Sequence, residues 1–223
     1  MNRLNKRLQK ITDLVDKRVV ADVGCDHGKV VLNLFENDKI DKAVISDISK
    51  PSLQKAVDLL NQNGYKNYVD YFCDGLTKYK ESDSVEQIII AGMGGLEIIQ
   101  ILQNSPIEIK NVILQPQRNE YEVKKYLTDN KFDIVYDIIV EDKDKFYNII
   151  KANKVENKKN MTEFDILFGK QNFEEGLNDF KNYLNYLNNK YELLLVKLTD
   201  EEKKNNVIKM LKNINKAKDL LGV

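Results

Sequence analysis

Short apolar runs alternate with stretches of helical period along the first two thirds of the chain. The runs cover 19–24, 43–47, 68–72, 87–91, 111–115, 134–140 and 146–151. Helix-period segments near 29–37, 51–63, 94–103 and 119–129 are interspersed among the first six. Strand alternating with helix predicts a parallel sheet joined by right-handed crossovers. The last two runs break that rhythm. Only Glu141-Asp142-Lys143-Asp144-Lys145 separates them, which is too short for a crossover helix. They are expected to form an antiparallel hairpin at the end of the sheet.

Beyond the sheet the pattern changes. Asn, Lys and Glu dominate 153–163, which reads as a linker. Leu177, Phe180, Leu184, Leu187, Tyr191, Leu194 and Leu198 then recur at spacings of three and four, a heptad-like seam. Thr199 and Asp200 are candidate N-caps, and Val207, Leu211, Ile214, Lys218 and Leu221 continue one face. Two helices, about 174–198 and 201–221, are expected to form an antiparallel hairpin. The expected organisation is an α/β domain over 1–155, a linker over 156–170 and a helical hairpin over 171–223. A monomer is expected, although the seam could also pair between chains.

The N-terminal segment projects as an amphipathic helix. Arg3, Lys6, Arg7, Lys10, Lys17 and Arg18 fall within about one third of its circumference, beside an arc of Leu4, Leu8, Ile11 and Val15. Such a basic stripe suits a phosphate backbone; an ordinary solvated face is the alternative. The whole chain gives no such hint, since 35 basic residues balance 35 acidic ones over 223 residues. Two cysteines, Cys25 and Cys73, lack metal-ligand spacing and suggest a reducing, cytoplasmic setting. No His/Cys cluster supports a metal site. No apolar run approaches the ~20 residues that a membrane span needs.

Chemistry concentrates at the carboxyl ends of the predicted strands, where open α/β sheets bind ligands. In Asp22-Val23-Gly24-Cys25-Asp26-His27-Gly28 the two glycines permit a tight turn and a close backbone approach. Asp22 and Asp26 occupy a turn where a pyrophosphate would want bare N–H groups. Carboxylates there suit a cofactor with a positive centre and no phosphates, and S-adenosylmethionine fits. Asp47, with Ile48 beside it, ends the second strand and can accept two ribose hydroxyls, or merely precede a helix capped by Ser49. Asp74-Gly75 can receive an adenine amine and offer an N–H to the ring, or be a plain turn. Ala91-Gly92-Met93-Gly94-Gly95 would let a target base approach backbone groups, with Met93 packing on base, cofactor or core. Gln115 and Gln117 could read a base edge, and Arg118 could reach a phosphate. His27, the single histidine, is either incidental or placed to orient a substrate or take a proton.

Five parallel strands ending in an antiparallel hairpin are the pattern of Rossmann-like methyltransferases. Asn5-Lys6-Arg7-Leu8, Ala21-Asp22-Val23-Gly24-Cys25-Asp26-His27, Asp74-Gly75-Leu76, Ile90-Ala91-Gly92-Met93-Gly94-Gly95 and Ile113-Leu114-Gln115-Pro116 together resemble the bacterial tRNA (adenine-22-N1)-methyltransferases. Cys25 stands where that family usually has Ser, and Gly28-Lys29-Val30-Val31 replaces its usual Ala/Gly-Tyr-Leu-Pro. The resemblance implies methyl transfer from S-adenosylmethionine to N1 of an adenine in the D-arm region of tRNA. It implies Asp26, His27, Gly92 and Met93 around the acceptor. It further implies Asp22, Gly24, Asp26, Gly28, Asp47, Ile48, Asp74, Gly75, Ala91 and Gly92 around the cofactor. Arg3, Lys6, Arg7, Lys10, Gln115, Gln117 and Arg118 are the candidate tRNA contacts. The rivals are a methyltransferase of small molecules or proteins and a non-catalytic RNA-binding module. The acidic loop and the terminal hairpin argue against a dinucleotide dehydrogenase.

Overall fold

The computed structural model describes residues 4–157 and 160–222, so Arg3 lies outside the described residues. The sheet strands are β1 (Val19–Val23), β2 (Lys42–Asp47), β3 (Tyr68–Phe72), β4 (Gln87–Met93), β5 (Asn111–Pro116), β6 (Phe132–Asp142) and β7 (Lys145–Lys154). Their order is β3-β2-β1-β4-β5-β7-β6. The first five pair in parallel, and β7 enters antiparallel between β5 and β6. The expected terminal hairpin is present and its strands run longer than the apolar pattern. Asp142 pairs with Lys145 across Lys143-Asp144, both at positive φ (53° and 60°), as a two-residue type I′ turn requires.

Helices cover both faces, which is why the strands read as nearly unbroken Val/Ile/Leu runs. One face buries Val20, Ile45, Ile89 and Ile113 under α1 (Lys6–Asp13), α2 (Lys29–Glu36) and α3 (Lys50–Gln62). The other buries Val23, Ile90 and Leu114 under α4 (Gly95–Gln103) and α5 (Glu120–Asp129). Ser49 caps α3 as anticipated, its side chain accepting from the Ser52 N–H.

The structure departs from the sequence pattern at two places. The N-terminal helix stops at Asp13, so Lys17 and Arg18 leave its face, and Arg18 instead pairs with Asp38 and Asp41. The stretch read as a linker contains α6 (Glu163–Phe168), opened by a Thr162/Asp165 capping box, and a short 3₁₀ turn, Gln171–Phe173. Phe164, Phe168 and Phe173 pack there with Phe180 of the hairpin.

That turn also closes the sheet. β6 is an edge strand, a row of open backbone groups. The Gln171 amide accepts from Asp137 N–H and donates to Val135 C=O, each at 3.1 Å. Asn172 accepts from Ile139 N–H at 2.7 Å and donates to Asp137 C=O at 3.3 Å. Asp179 accepts from Glu141 N–H at 2.9 Å. Side chains thus stand in for an eighth strand and tie the helical hairpin to the sheet. The hairpin is α7 (Leu177–Lys197) and α8 (Glu201–Leu221), with Asp200 as the N-cap of the second helix. Phe180, Leu184 and Leu187 are buried, whereas Leu194 is 38% exposed, so the seam is closed at its base and open toward the tip. Among the described residues no helix is long and apolar enough to cross a membrane.

Candidate functional site

The carboxyl ends of β1, β2 and β4, with the loop after β3, surround a cavity of about 440 Å³. Asp22, Gly24, Asp26, His27, Asp47, Ile48, Asp74, Gly75, Ala91, Gly92 and Met93 all line it. The structure therefore gathers into one place residues that the sequence spreads over 70 positions.

The first loop is built on glycine. Gly24 sits at φ +71°, and the N–H groups of Gly24 and Cys25 both donate to Ser46 C=O, at 2.8 and 3.0 Å. These bonds pin the loop to the end of β2. Gly28 (φ +68°) lies behind the cavity and not on it: a Cβ there would stand 2.9 Å from that of Ala56. Its part is to let α2 pack closely on α3. The expectation that Gly28 itself meets the ligand is corrected accordingly.

Asp47 is held from two sides. One carboxylate oxygen accepts from Asp26 N–H at 3.1 Å and the other from Ser49 N–H at 2.7 Å. A carboxylate has about four acceptor positions, so about two remain for a diol. Asp22 is buried at the end of β1. Burial, with the nearby charges of Asp47 and Asp26, pushes its carboxyl up to about 7. A cation entering beside it would relieve that cost.

Asp26, itself at φ +47°, approaches His27: Oδ2 lies 2.7 Å from Nδ1. In that contact the Nδ1–H donates to the carboxylate, which fixes the orientation of the ring. Across the cavity, Gly92 takes φ +84° and Met93 reaches back over the first loop. A Cβ on Gly24 would stand 2.2 Å from the Met93 Cε. Backbone bonds from Gln117 N–H to Met93 C=O (2.8 Å) and from Gly95 N–H to Arg118 C=O (2.9 Å) join the β4 and β5 loops.

The candidate base and phosphate readers separate. Gln117 lines the cavity, but Gln115 does not. β5 continues to Pro116, so Gln115 is still inside the sheet and fully buried. Its Nε2 donates to Pro116 C=O at 2.8 Å and its Oε1 accepts from Arg7. It is not free to read a base edge. The basic stripe is likewise dismantled by tertiary contacts. Lys6 pairs with Asp179 at 2.6 Å, and Lys10 lies 5.0 Å from the centre of the Tyr136 ring. Arg7 turns into the cavity. Sequence reasoning missed Arg7 as a lining residue. The signal was its position three after Leu4 and four before Ile11, which puts it on the border of the apolar arc. Lys29 and Glu97 also line the cavity and were not singled out.

A family model described as a methyltransferase domain matches residues 4–150. A Mycoplasma genitalium protein, provisionally named a tRNA methyltransferase, is 32% identical over 173 residues, 74% of this chain and 77% of its own length. The Bacillus subtilis tRNA (adenine(22)-N(1))-methyltransferase is 26% identical over 155 residues, 67% of this chain and 65% of its own. Among solved structures, Streptococcus pneumoniae Sp1610 is provisionally described as a tRNA (m1A22) methyltransferase and was crystallised with S-adenosyl-L-methionine. It is 27% identical with a TM-score of 0.86, over 98% of this chain and 100% of that one.

Proposed function

This chain belongs to the S-adenosylmethionine-dependent tRNA (adenine-22-N1)-methyltransferase family, and from that premise we propose the part each cavity residue plays in methylating N1 of adenine 22. The donor set fits the cofactor. Asp22, buried and raised to about 7, gains by facing the ammonium group. Asp47 keeps acceptor positions for the two ribose hydroxyls. Asp74 takes the adenine amine, the Gly75 N–H addresses the ring, and exposed Ile48 covers its face. When bound, S-adenosylmethionine supplies a methyl group on a sulfonium centre, open to in-line displacement.

The residues on the other wall handle the acceptor. N1 of adenine carries a free lone pair, so the protein's work is alignment and exclusion of water. N1 lies on the Watson–Crick edge, so the base must be exposed, by flipping if it is paired or stacked. Gly92 leaves room for it, Met93 bounds the slot and the Gln117 amide meets its edge. His27, oriented by Asp26, takes the proton that the N6 amino group gives up after methylation. Lys29, exposed on the cavity wall, and exposed Arg118, beside Gly94, are the proposed phosphate contacts. The two free cysteines suit a reducing setting, and the cytoplasm is the proposed location.

One observation carries this reading: an acid-lined loop and a glycine-rich turn face each other across a single cavity. The test is transfer of labelled methyl from S-adenosylmethionine to unmodified tRNA, with nuclease digestion and mass mapping. The expected product is 1-methyladenosine at position 22, absent from a transcript carrying guanosine there. Label at another position or in no tRNA would refute it. A second expectation concerns Gly24→Ala. A methyl group forced onto φ +71° and against Met93 should weaken cofactor binding roughly tenfold, about 1.4 kcal/mol, as titration calorimetry would read.

A further inference from the structure

Arg7 comes from outside the sheet, on α1, yet it ends beside the acceptor turn. Its Cζ lies 5.2 Å from the centre of the Tyr147 ring. Its Nη1 donates to Gln115 Oε1, whose amide is buried and fixed at its other end by Pro116 C=O. On the cavity side, a Cβ at Gly92 would stand 3.7 Å from Arg7 Nη1 and 3.8 Å from Gln117 Nε2. Arg7 and Gln117 therefore flank an open slot above Gly92, and any side chain at position 92 would begin to fill it.

We propose that Arg7, backed by Tyr147 and anchored by Gln115, is the platform on which the exposed adenine stacks. The inference rests on the acceptor reading above and deepens it. Guanidinium groups are planar, weakly hydrated and stack on rings, and flipped RNA bases are held on aromatic or Arg planes. An arginine already held between an aromatic ring and a buried amide loses little further freedom when a base meets it. The anchoring also argues against a backbone phosphate as its partner. A half-buried guanidinium tied to an amide inside the sheet is set back from the rim, where Lys29 and Arg118 remain exposed. Gln115 is then a positioning residue that acts through Arg7.

The test compares Arg7→Ala, Arg7→Lys, Tyr147→Ala and Tyr147→Phe in the full chain on unmodified tRNA. It reads S-adenosylmethionine affinity, tRNA affinity at several salt concentrations, and the single-turnover methylation rate. Loss of one stacked base contact should slow Arg7→Ala by roughly 10- to 100-fold at saturating tRNA. Arg7→Lys should fall nearly as far, because an ammonium has charge but no plane. Tyr147→Phe should restore most of what Tyr147→Ala loses. Cofactor affinity and the salt slope of tRNA binding should match the parent, which also shows that the variants fold. A wild-type rate in Arg7→Lys, or a salt slope about one charge smaller in Arg7→Ala, makes Arg7 a phosphate contact and overturns the proposal. A parent chain that transfers nothing to tRNA overturns the acceptor reading and this inference together. A parent that transfers normally beside an unaffected Arg7→Ala overturns this inference alone.

Discussion

Replacing Asp22 by Asn is expected to make the cofactor-free protein more stable at pH 8 and nearly unable to hold its cofactor. The native carboxyl is raised to about 7 from a usual 3.8, first by burial and then by Asp47 and Asp26. The folded state therefore keeps a proton, between those two values, that the unfolded chain has lost. Stability supplied by the protonated form is complete below 3.8 and drains away as pH rises toward 7. Above that, a buried, ionised Asp22 costs up to about 4 kcal/mol, of which Asn recovers a part. A gain of roughly 5 °C in Tm at pH 8, shrinking to less than half at pH 5, is the expected scanning result. The same charge is what an ammonium group needs. Losing a charge-assisted contact of about 2–3 kcal/mol should weaken S-adenosylmethionine binding roughly 30- to 150-fold. In the parent, affinity should rise with pH up to about 7, and binding at pH 6 should release protons, visible as a buffer-dependent heat. Parent-like affinity in Asp22→Asn, or no gain in Tm at pH 8, would remove Asp22 from this role. The arrangement is a trade of stability for function at one side chain.

The acid-lined side of the cavity was legible because its signals are local. A β-branched run, glycines at Gly24 and Gly28 and an acid at Asp47 each follow from what a strand, a tight turn and a ribose require. The geometry sets Gly28 behind the cavity, where it lets α2 pack on α3. The acceptor half was less legible because its geometry is made by distant partners. Arg7 meets Gln115 at a separation of 108 residues, and Lys6 meets Asp179 at 173. A helical projection treats α1 as if one side always faced water, and so cannot see these pairings. Helix α6 was hidden for another reason. Six residues are too few for a period to show, and its aromatic partners Phe173 and Phe180 come later in the chain.

Lys124→Met is expected to be the most destabilising single change outside the cavity. Lys124 of α5 and Asp137 of β6 meet at 2.8 Å with side chains 3% and 1% exposed. Asp137 also accepts from Asn148 Nδ2 at 2.5 Å, and the end of α6 closes over it so tightly that a Cβ on Gly169 would stand 2.6 Å from the carboxylate. Removing the lysine leaves a buried carboxylate without its counter-charge, at a cost of about 3–5 kcal/mol. Denaturant titration should show that loss with an unchanged m-value. The pair is a different matter from either member. Desolvating two charges nearly cancels their attraction, so Lys124→Met with Asp137→Leu should recover most of the stability that Lys124→Met loses. A double variant no better than the single would mean that the charges are not what holds this joint. The joint is also where α5, β6 and the end of α6 meet, and its neighbours Gln171 and Asn172 fasten the hairpin's base to the sheet edge. Its loss should therefore lower stability while leaving the cofactor affinity of the folded molecules intact, because none of these residues lines the cavity.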